Sequence, residues 1–573
     1  MNKINKSDFI SYIKGNGYCW LNKFSNLEEA VSKDELISKY LASEVEDRKK
    51  EKTKDIFEAP FSAIRGNIFG EVVIEYSKKF ANDNDINWVD LTDSFFVDYD
   101  VQVLFEQTKE LLTNNEDIVI NEATFVINID GHRLTSMVDM LVKKGNTIKI
   151  YEAKASTKIK SKHILDIYFQ KNIIERALKD LGYQFEYNLM VISNDFRLGS
   201  EVSMESFTQE YYRVHKLENN LLENLEFLNN HPDYADDKHN KLNKKEWDYI
   251  RSRAFQDFDD TIRRIIDIQA MSFEDGIWKD VDISMTKTWV DSINPAIDLY
   301  YELKYWIGDK DSEDNVLKQD AFNDVAVDYK YPLYMYDFES IEMSLPIIEG
   351  AKGYQQVISQ YSIHIIKDKN FDVNDPSTYE HREYLINDFT LEEIKQLWRS
   401  FVKDMDNGQE GTPVAWYKPY ETSKIKESLE SNFIDENIKY DLAEIRLNTI
   451  DLRDFFATSK AAGRFEAAYN CPSWEGKTSI KLVGPHCAPN ITYEGLKIAN
   501  GSKALEFASK FAYLVWDSQT ETGYDIENII NRNNDELSKA KWQEYRKDLL
   551  KYCEIDTKQM VGIWQFLLSK FDS

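Results

Sequence analysis

Four cysteines serve 573 residues, and no two of them stand in Cys-x-x-Cys spacing. That scarcity argues against a disulfide framework and against a zinc ribbon, and it suits a reducing cytosol. Histidine is also sparse, at eight residues, and none shows metal-ligand spacing. His132, His163 and His486 read as structural or solvated rings. No apolar run is long enough to span a bilayer. Residues 1–24 are polar and mixed, without the apolar core of a signal peptide. Low-complexity segments and internal repeats are missing as well. These absences lead to the expectation of a cytoplasmic protein with no membrane partner. Positive charge is short too: 71 Lys and Arg face 100 Asp and Glu, a net charge of -29. That balance excludes a general nucleic-acid coating protein, which would be basic. It leaves room for a nuclease, whose metal sites need acids and whose basic surface is local. One such stretch runs from Lys143 to Lys162, readable as a solvated face or as a phosphate track.

The length exceeds one ordinary core, so more than one domain is expected. Residues 1–230 mix helix and strand patterns: helix over 56–80, alternating strands over 120–155, helix again over 163–182. Residues 231–325 are rich in Asp, Asn, Lys and Trp at helical spacing and read as a helical connector. After Pro332 a strand pattern restarts, and a second α/β domain over 326–573 closes with a long helix at about 540–570.

Within that last helix Leu549, Cys553, Met560, Ile563 and Leu567 form an apolar stripe, and Asp556 falls inside it. A carboxylate on a buried face is costly unless something pairs with it, and a metal ion is one such partner. Tyr552 lies one turn earlier, within reach of the same space. In the strand Leu333–Glu339, alternation puts Leu333, Met335, Asp337 and Glu339 on one face. With 100 acids in the chain, Asp-x-Glu alone arises by chance. A further acid, Glu421, follows the short apolar strand Val414-Ala415-Trp416 and opens a helix. Asp337, Glu339, Glu421 and Asp556 together suit two divalent ions ~4 Å apart, magnesium or manganese by their all-oxygen donors.

The segment from about 330 to 573 resembles a bacterial family known as domain of unknown function 2779. The likeness rests on Asp337-Phe338-Glu339, Gln360-Tyr361-Ser362, Trp416-Tyr417-Lys418-Pro419-Tyr420-Glu421, Gly476-Lys477-Thr478-Ser479-Ile480-Lys481 and Tyr552-Cys553-Glu554-Ile555-Asp556-Thr557. Tyr417 departs from the family's usual Asn. The Tyr-x-x-x-Asp helix also resembles the third exonuclease motif of DnaQ-like (DEDD, RNase H-like) nucleases. The resemblance implies a 3′–5′ exonuclease in which Tyr552 orients the attacking water.

In the first domain, strands over 132–143 and 147–154 joined by Lys144-Gly145-Asn146 set Asp139 nearly opposite Glu152, with Lys154 on the face of Glu152. Such carboxylates hold an ion, and the lysine steadies the water or the charged transition state. This Asp…Glu-x-Lys arrangement resembles the PD-(D/E)xK core of RecB-like exonucleases. Asp166 and Gln170 on the following helix stand where that group carries its Gln motif, which gives Gln170 a place among the catalytic residues. Glu71 stands where the group's first helix offers a ligand, and Glu122 is a further acid nearby. RecB-like relatives often hold an iron–sulfur cluster, but Cys19 is far in sequence from Cys471, Cys487 and Cys553, so no cluster is expected. Glu475-Gly476-Lys477-Thr478-Ser479 looks like the end of a phosphate-binding loop, yet Cys471 stands where its first glycine is required.

The expected architecture is therefore α/β: a PD-(D/E)xK restriction-endonuclease-like domain, a helical connector and an RNase H-like domain. The expected function is metal-dependent hydrolysis of nucleic acid, DNA in preference to RNA, in repair or defence. The alternative is a catalytically degenerate nucleic-acid-binding or scaffold protein.

Overall fold

The computed structural model describes residues 3–16, 19–20, 61–92, 100–114, 117–200, 207–208, 210–230, 257–271, 309–310, 315–408, 410–457, 466–474, 477–498, 500–519 and 536–571. These residues form a mixed α/β protein with four sheets and 13 α-helices. They fall into two compact units. One holds residues up to 196 and 207–271; the other holds 197–200 and 309–571. Among the described residues, no helix is long and apolar enough to cross a membrane.

The first unit runs β1 (Lys3–Ile4), α1 (Lys6–Lys14), α2 (Phe61–Asn84), β2 (Asn87–Asp90), α3 (Val101–Thr113), β3 (Ile118–Asn121), β4 (Ala123–Ile129), β5 (His132–Val138), β6 (Met140–Lys144), β7 (Thr147–Lys154), α4 (Ser161–Ala177), β8 (Gln184–Ile192), β9 (Tyr212–Lys216), α5 (Leu221–Asn230) and α6 (Phe258–Ala270). Six strands form one sheet in the order β2-β3-β6-β7-β8-β9, and β1-β5-β4 form a second. Strand β6 runs antiparallel to β3 and β7, and β8 parallel to β7. A parallel pair needs a crossover, which α4 supplies.

The expected strand over 132–143 is two strands, and Asp139 is the break between them. β5 pairs with β4 in one sheet, and β6 pairs with β7 in the other. Asn121 holds this corner. Its amide donates to the Asp139 carbonyl (2.6 Å) and to Ser77 Oγ (2.9 Å), and it accepts from Trp88 Nε1 (2.9 Å). A buried amide with its bonds made fixes a corner that hydropathy alone does not mark. The hairpin register, Met140 opposite Tyr151 and Lys144 opposite Thr147, brings Asp139 to the level of Glu152. The turn is two residues long, with Gly145 in the left-handed region at φ 58°.

The second unit runs β10 (Asp309–Lys310), β11 (Val316–Leu317), α7 (Gln319–Ala326), β12 (Leu333–Glu342), β13 (Gln356–Ile366), β14 (Glu380–Leu385), α8 (Leu391–Asp404), β15 (Thr412–Ala415), α9 (Lys418–Leu429), α10 (Lys439–Asn448), β16 (Ile450–Asp451), β17 (Tyr469–Asn470), α11 (Ile480–Cys487), α12 (Gly501–Gln519) and α13 (Glu536–Phe571). Its main sheet has the order β14-β13-β12-β15-β16. The first three strands are antiparallel, while β15 and β16 run parallel to β12. Strand alternation sorts β12 into two faces. Leu333 and Met335 join the core that contains Ile563 and Trp564 of α13. Tyr336 and Phe338 pack edge-on or tilted against Trp398 and Phe401 of α8. On α13 the whole apolar stripe, Leu549, Cys553, Met560, Ile563 and Leu567, is buried, each large side chain worth ~1.5–3 kcal/mol.

The described parts of the 231–325 segment divide between the units. Phe258, Ile262, Ile265 and Ile268 of α6 join the core of the first. Strands β10 and β11 pair with one another, and β11 with β17, in the second. Residues 231–256 and 272–308, with the Trp247 end of the expected helical pattern, lie outside the described residues, as do Glu475 and Gly476.

Gly411, just before β15, has φ 80°, and a Cβ there would stand 2.1 Å from the Pro332 carbonyl oxygen. Backbone strain and a backbone clash add, so Gly411→Ala is expected to lower stability by at least ~2 kcal/mol. Thermal unfolding checks this, and an unchanged melting temperature would refute the close approach.

Candidate functional site

The second unit gathers carboxylates from three elements beside the middle of β12, just past the residues that pair with β15. Asp337 and Glu339 come from the strand itself, Glu421 from the first turn of α9, and Asp556 from the middle of α13. Oxygens of Asp337, Glu339 and Asp556 lie within 4.8 Å of one another. Glu421 stands beside this trio, within charge range of all three. Local structure explains its position. β15 pairs with β12 only from Leu333 to Met335, and beyond that point the Phe338 N–H donates to the Glu421 carboxylate. The chain turns through Trp416 and Tyr417 into α9, with Pro419 in the first turn where no donor is needed. The acids open into a cleft of about 350 Å³ whose wall includes Gln356, Tyr417, Tyr420 and Tyr552.

Glu339, Glu421 and Asp556 are buried. Burial, and after it the charge of Asp556, pushes Asp337 well above the ordinary carboxylate range. Burial, Asp337 and Asp556 do the same to Glu339, and burial, Asp337 and Glu339 to Glu421. Burial takes Asp556 up to about 6, held from going higher by hydrogen bonds from Tyr493 and Tyr552 and by the charge of Lys481. Burial raises both tyrosines, as do the neighbouring carboxylates, so each remains a hydroxyl donor. Cys553 lies beneath, its Sγ 3.9 Å from Asp337 Oδ2. Thr557, one residue past Asp556, bonds Ser362 Oγ and His364 Nδ1 of β13 at 2.8 Å each, and Gln360 Nε2 donates to the Leu549 carbonyl at 3.1 Å. These bonds fix the rotation of α13 against the sheet, and therefore where Asp556 points.

The first unit treats its acids differently. Lys154 Nζ donates to Glu152 Oε1 (2.5 Å) and Asp166 Oδ2 (2.6 Å), and Gln170 Nε2 donates to Glu152 Oε2 (2.8 Å). Lys6 of α1 adds a second cation, 3.0 Å from Asp166 and 3.8 Å from Glu152. Asp139 Oδ2 accepts from the Ala153 N–H (2.6 Å). Burial, Glu152 and Glu122 push Asp139 well up, and burial, Glu152 and Asp90 carry Glu122 to about 7. Among the described residues, no trio of ligand atoms converges here as it does in the second unit.

The structure brings together Asp139, Glu152, Lys154 and Gln170 in one unit, and Asp337, Glu339, Glu421, Asp556 and Tyr552 in the other. Glu71 sits on α2, and the carboxylates that act most strongly on Asp139 are Glu152 and Glu122. Glu122 occupies a left-handed corner (φ 55°) between β3 and β4 and not a strand. The lysines of 143–162 do not form one track. Lys143 is buried and donates to the Asn114 carbonyl, Lys149 faces Glu186 at 3.6 Å, and Lys154 serves the acid cluster. His163 is a cap residue, its Nδ1 accepting from the Lys160 N–H. Sequence reasoning gave no role to Lys6, Lys481 or Tyr493. Lys481 stood inside a motif already singled out, whereas Lys6 and Tyr493 carried no local signal.

The donor set passes the test for a bound cation. It is all oxygen, mutually repelling and buried, and Glu421 Oε2 is a buried oxygen with no hydrogen-bond partner. Such a cluster could hold a cation.

Residues 334–479 match the family model described as a domain of unknown function (DUF2779). The chain is similar to the uncharacterized protein UU173 of Ureaplasma parvum, 22% identical over 610 residues, covering 84% of this chain and 82% of that one. It is also similar to the uncharacterized protein MG366 of Mycoplasma genitalium, 27% identical over 247 residues, covering 40% of this chain and 31% of that one. A homologue of MG366 in Mycoplasma pneumoniae is 21% identical over 285 residues, covering 48% and 38%. No solved structure matches.

Proposed function

We propose that the second unit is a divalent-metal-dependent phosphodiesterase of the RNase H-like, DnaQ-like exonuclease kind, acting on nucleic acid and on DNA in preference to RNA. The observation that carries this reading is the convergence of Asp337, Glu339 and Asp556, with Glu421 beside them, on a central strand just past the residues that pair with β15. The sheet supports it. Its three antiparallel strands followed by two parallel to the first, in the order third-second-first-fourth-fifth, are the order an RNase H-like domain calls for. Magnesium or manganese is the class of ion for an all-oxygen site. Bound there, two such ions supply an activated water and stabilise the leaving oxygen. The protein's part is to aim the carboxylates. Tyr493 and Tyr552 donate to Asp556 and hold its oxygens toward Asp337. Their raised hydroxyls make them donors that orient water, not bases that take its proton.

In the first unit the β6–β7 hairpin followed by α4 and the parallel strand β8 supports the PD-(D/E)xK reading, and Lys154 beside Glu152 suits that chemistry. A second reading has its own support there. Both Glu152 oxygens are engaged by Lys154 and Gln170, an arrangement that is stable without an ion. The first unit then serves to bind or to scaffold, and the second cuts.

Release of nucleotides from end-labelled single-stranded DNA in manganese tests the proposal. Stepwise loss from the 3′ end is expected in the wild type and in Glu152→Ala, and background only in Asp337→Ala/Asp556→Ala. Activity lost in Glu152→Ala alone moves the chemistry to the first unit. No activity in any protein, on DNA or RNA, favours the scaffold.

A further inference from the structure

Lys481 is the second residue of α11, whose N-cap Ser479 accepts from the Lys481 N–H at 3.3 Å. Its ammonium lies 4.7 Å from the centroid of the Tyr552 ring and 5.1 Å from that of Tyr493. These are the two rings whose hydroxyls hold Asp556. The same ammonium acts electrostatically on Asp556, Glu339 and Asp337. The side chain is half-buried and flanked by aromatic faces, so the charge is held at the rim of the acid cluster and not released to bulk water.

A cation at this rim has two possible uses. One is to neutralise the carboxylates; the other is to receive an anion that approaches them. Charge counting favours the second. Four carboxylates carry four negative charges, which two divalent ions already match. Lys481 then adds a positive charge at the rim that a phosphodiester, which carries one negative charge, approaches. An ammonium is a compact point charge with three donors, well suited to a phosphate oxygen whose direction changes during reaction.

Resting on the reading of the second unit as a metal-dependent phosphodiesterase, we propose that Lys481 contacts the phosphate of the nucleic-acid substrate at the mouth of the Asp337–Glu339–Asp556 cluster. Its place between the Tyr493 and Tyr552 rings couples that contact to the two hydroxyls that aim Asp556. The metal-free protein uses the same ammonium as a partial counter-charge, so the lysine is retained in either state.

The experiment measures two bindings on wild type, Lys481→Gln and Lys481→Arg. Manganese alone is titrated calorimetrically. A fluorescein-labelled single-stranded deoxyoligonucleotide is titrated by anisotropy in calcium at several salt concentrations, with thermal unfolding run alongside. Lys481→Gln is expected to weaken oligonucleotide binding about tenfold and to reduce the salt slope by about one. Its manganese affinity should stay or rise, because a positive charge has left the cluster, and Lys481→Arg should restore most of the oligonucleotide affinity. Unchanged oligonucleotide binding and salt slope in Lys481→Gln would overturn the inference while leaving the metal site standing. A loss of manganese affinity, with oligonucleotide binding intact, would make Lys481 a structural support and overturn it as well. A wild type that binds the oligonucleotide but no manganese would overturn the metal-site reading first, and a wild type that binds manganese but no oligonucleotide would overturn this inference alone.

Discussion

Asp337→Asn will stabilise the metal-free protein at pH 8 and remove most of its stabilisation by manganese. The two effects have opposite signs because the cluster is short of positive charge. Burial and neighbouring carboxylates raise Asp337, Glu339 and Glu421 well above the ordinary range and Asp556 to about 6. A raised folded-state value means the fold holds these protons more tightly than the unfolded chain does. The contribution of the cluster is then complete below about pH 4 and lost as pH rises through the raised values. As pH rises through those values the metal-free fold takes on the repulsion among the carboxylates. An isosteric amide at 337 relieves part of it, by on the order of 1–3 kcal/mol. The advantage of Asp337→Asn over the wild type should shrink toward pH 4, where the carboxylates are protonated in both. Other acids, Glu122 and Asp451 among them, also rise to about 7, so the comparison is the difference between the two proteins and not either curve alone. With manganese at 100 times its dissociation constant the wild type gains ~2.7 kcal/mol, and the variant, lacking a ligand, gains little. Melting curves at pH 5, 6, 7 and 8, with and without manganese, decide it. A variant less stable than wild type at pH 8 without metal would show that the carboxylates are not in conflict.

In the first unit the same kind of change acts the other way. Lys154→Met is expected to destabilise by ~3–5 kcal/mol, because it strips the shared cation from two buried carboxylates at 2.5 and 2.6 Å. Burial alone pushes Asp166 up, but Lys154 and Lys6 outweigh it and hold Asp166 below its ordinary value. Without Lys154 that balance reverses. Asp166 then prefers to be protonated in the fold, and stability lost in the variant grows as pH rises from 5 to 8. The gap between wild type and variant should widen over that range. A constant gap would mean the loss is packing of the lysine stem and not its charge. Placed side by side, the two variants separate an acid cluster short of positive charge from one that already has two lysines.

Much of the second unit was legible in its residues. The helix stripe from Leu549 to Leu567, with Asp556 inside it, follows from a 3.6-residue period, and the shared face of Asp337 and Glu339 from a period of 2. Local periodicity determined those side-chain directions before any tertiary contact was known. The level match of Asp139 with Glu152 was legible for the same reason, since a hairpin register is set by its turn. Other features were not local. Asp139 sits at a break between two sheets because Asn121, Ser77 and Trp88, distant in sequence, meet there. Lys6 lies some 150 residues before the acids it pairs, and Tyr493 some 60 before Asp556. A sequence pattern records which face of its own element a residue occupies. It holds no record of which other element packs against that face, so partners supplied across such distances, and the charge balance they set, were decided only by the tertiary structure.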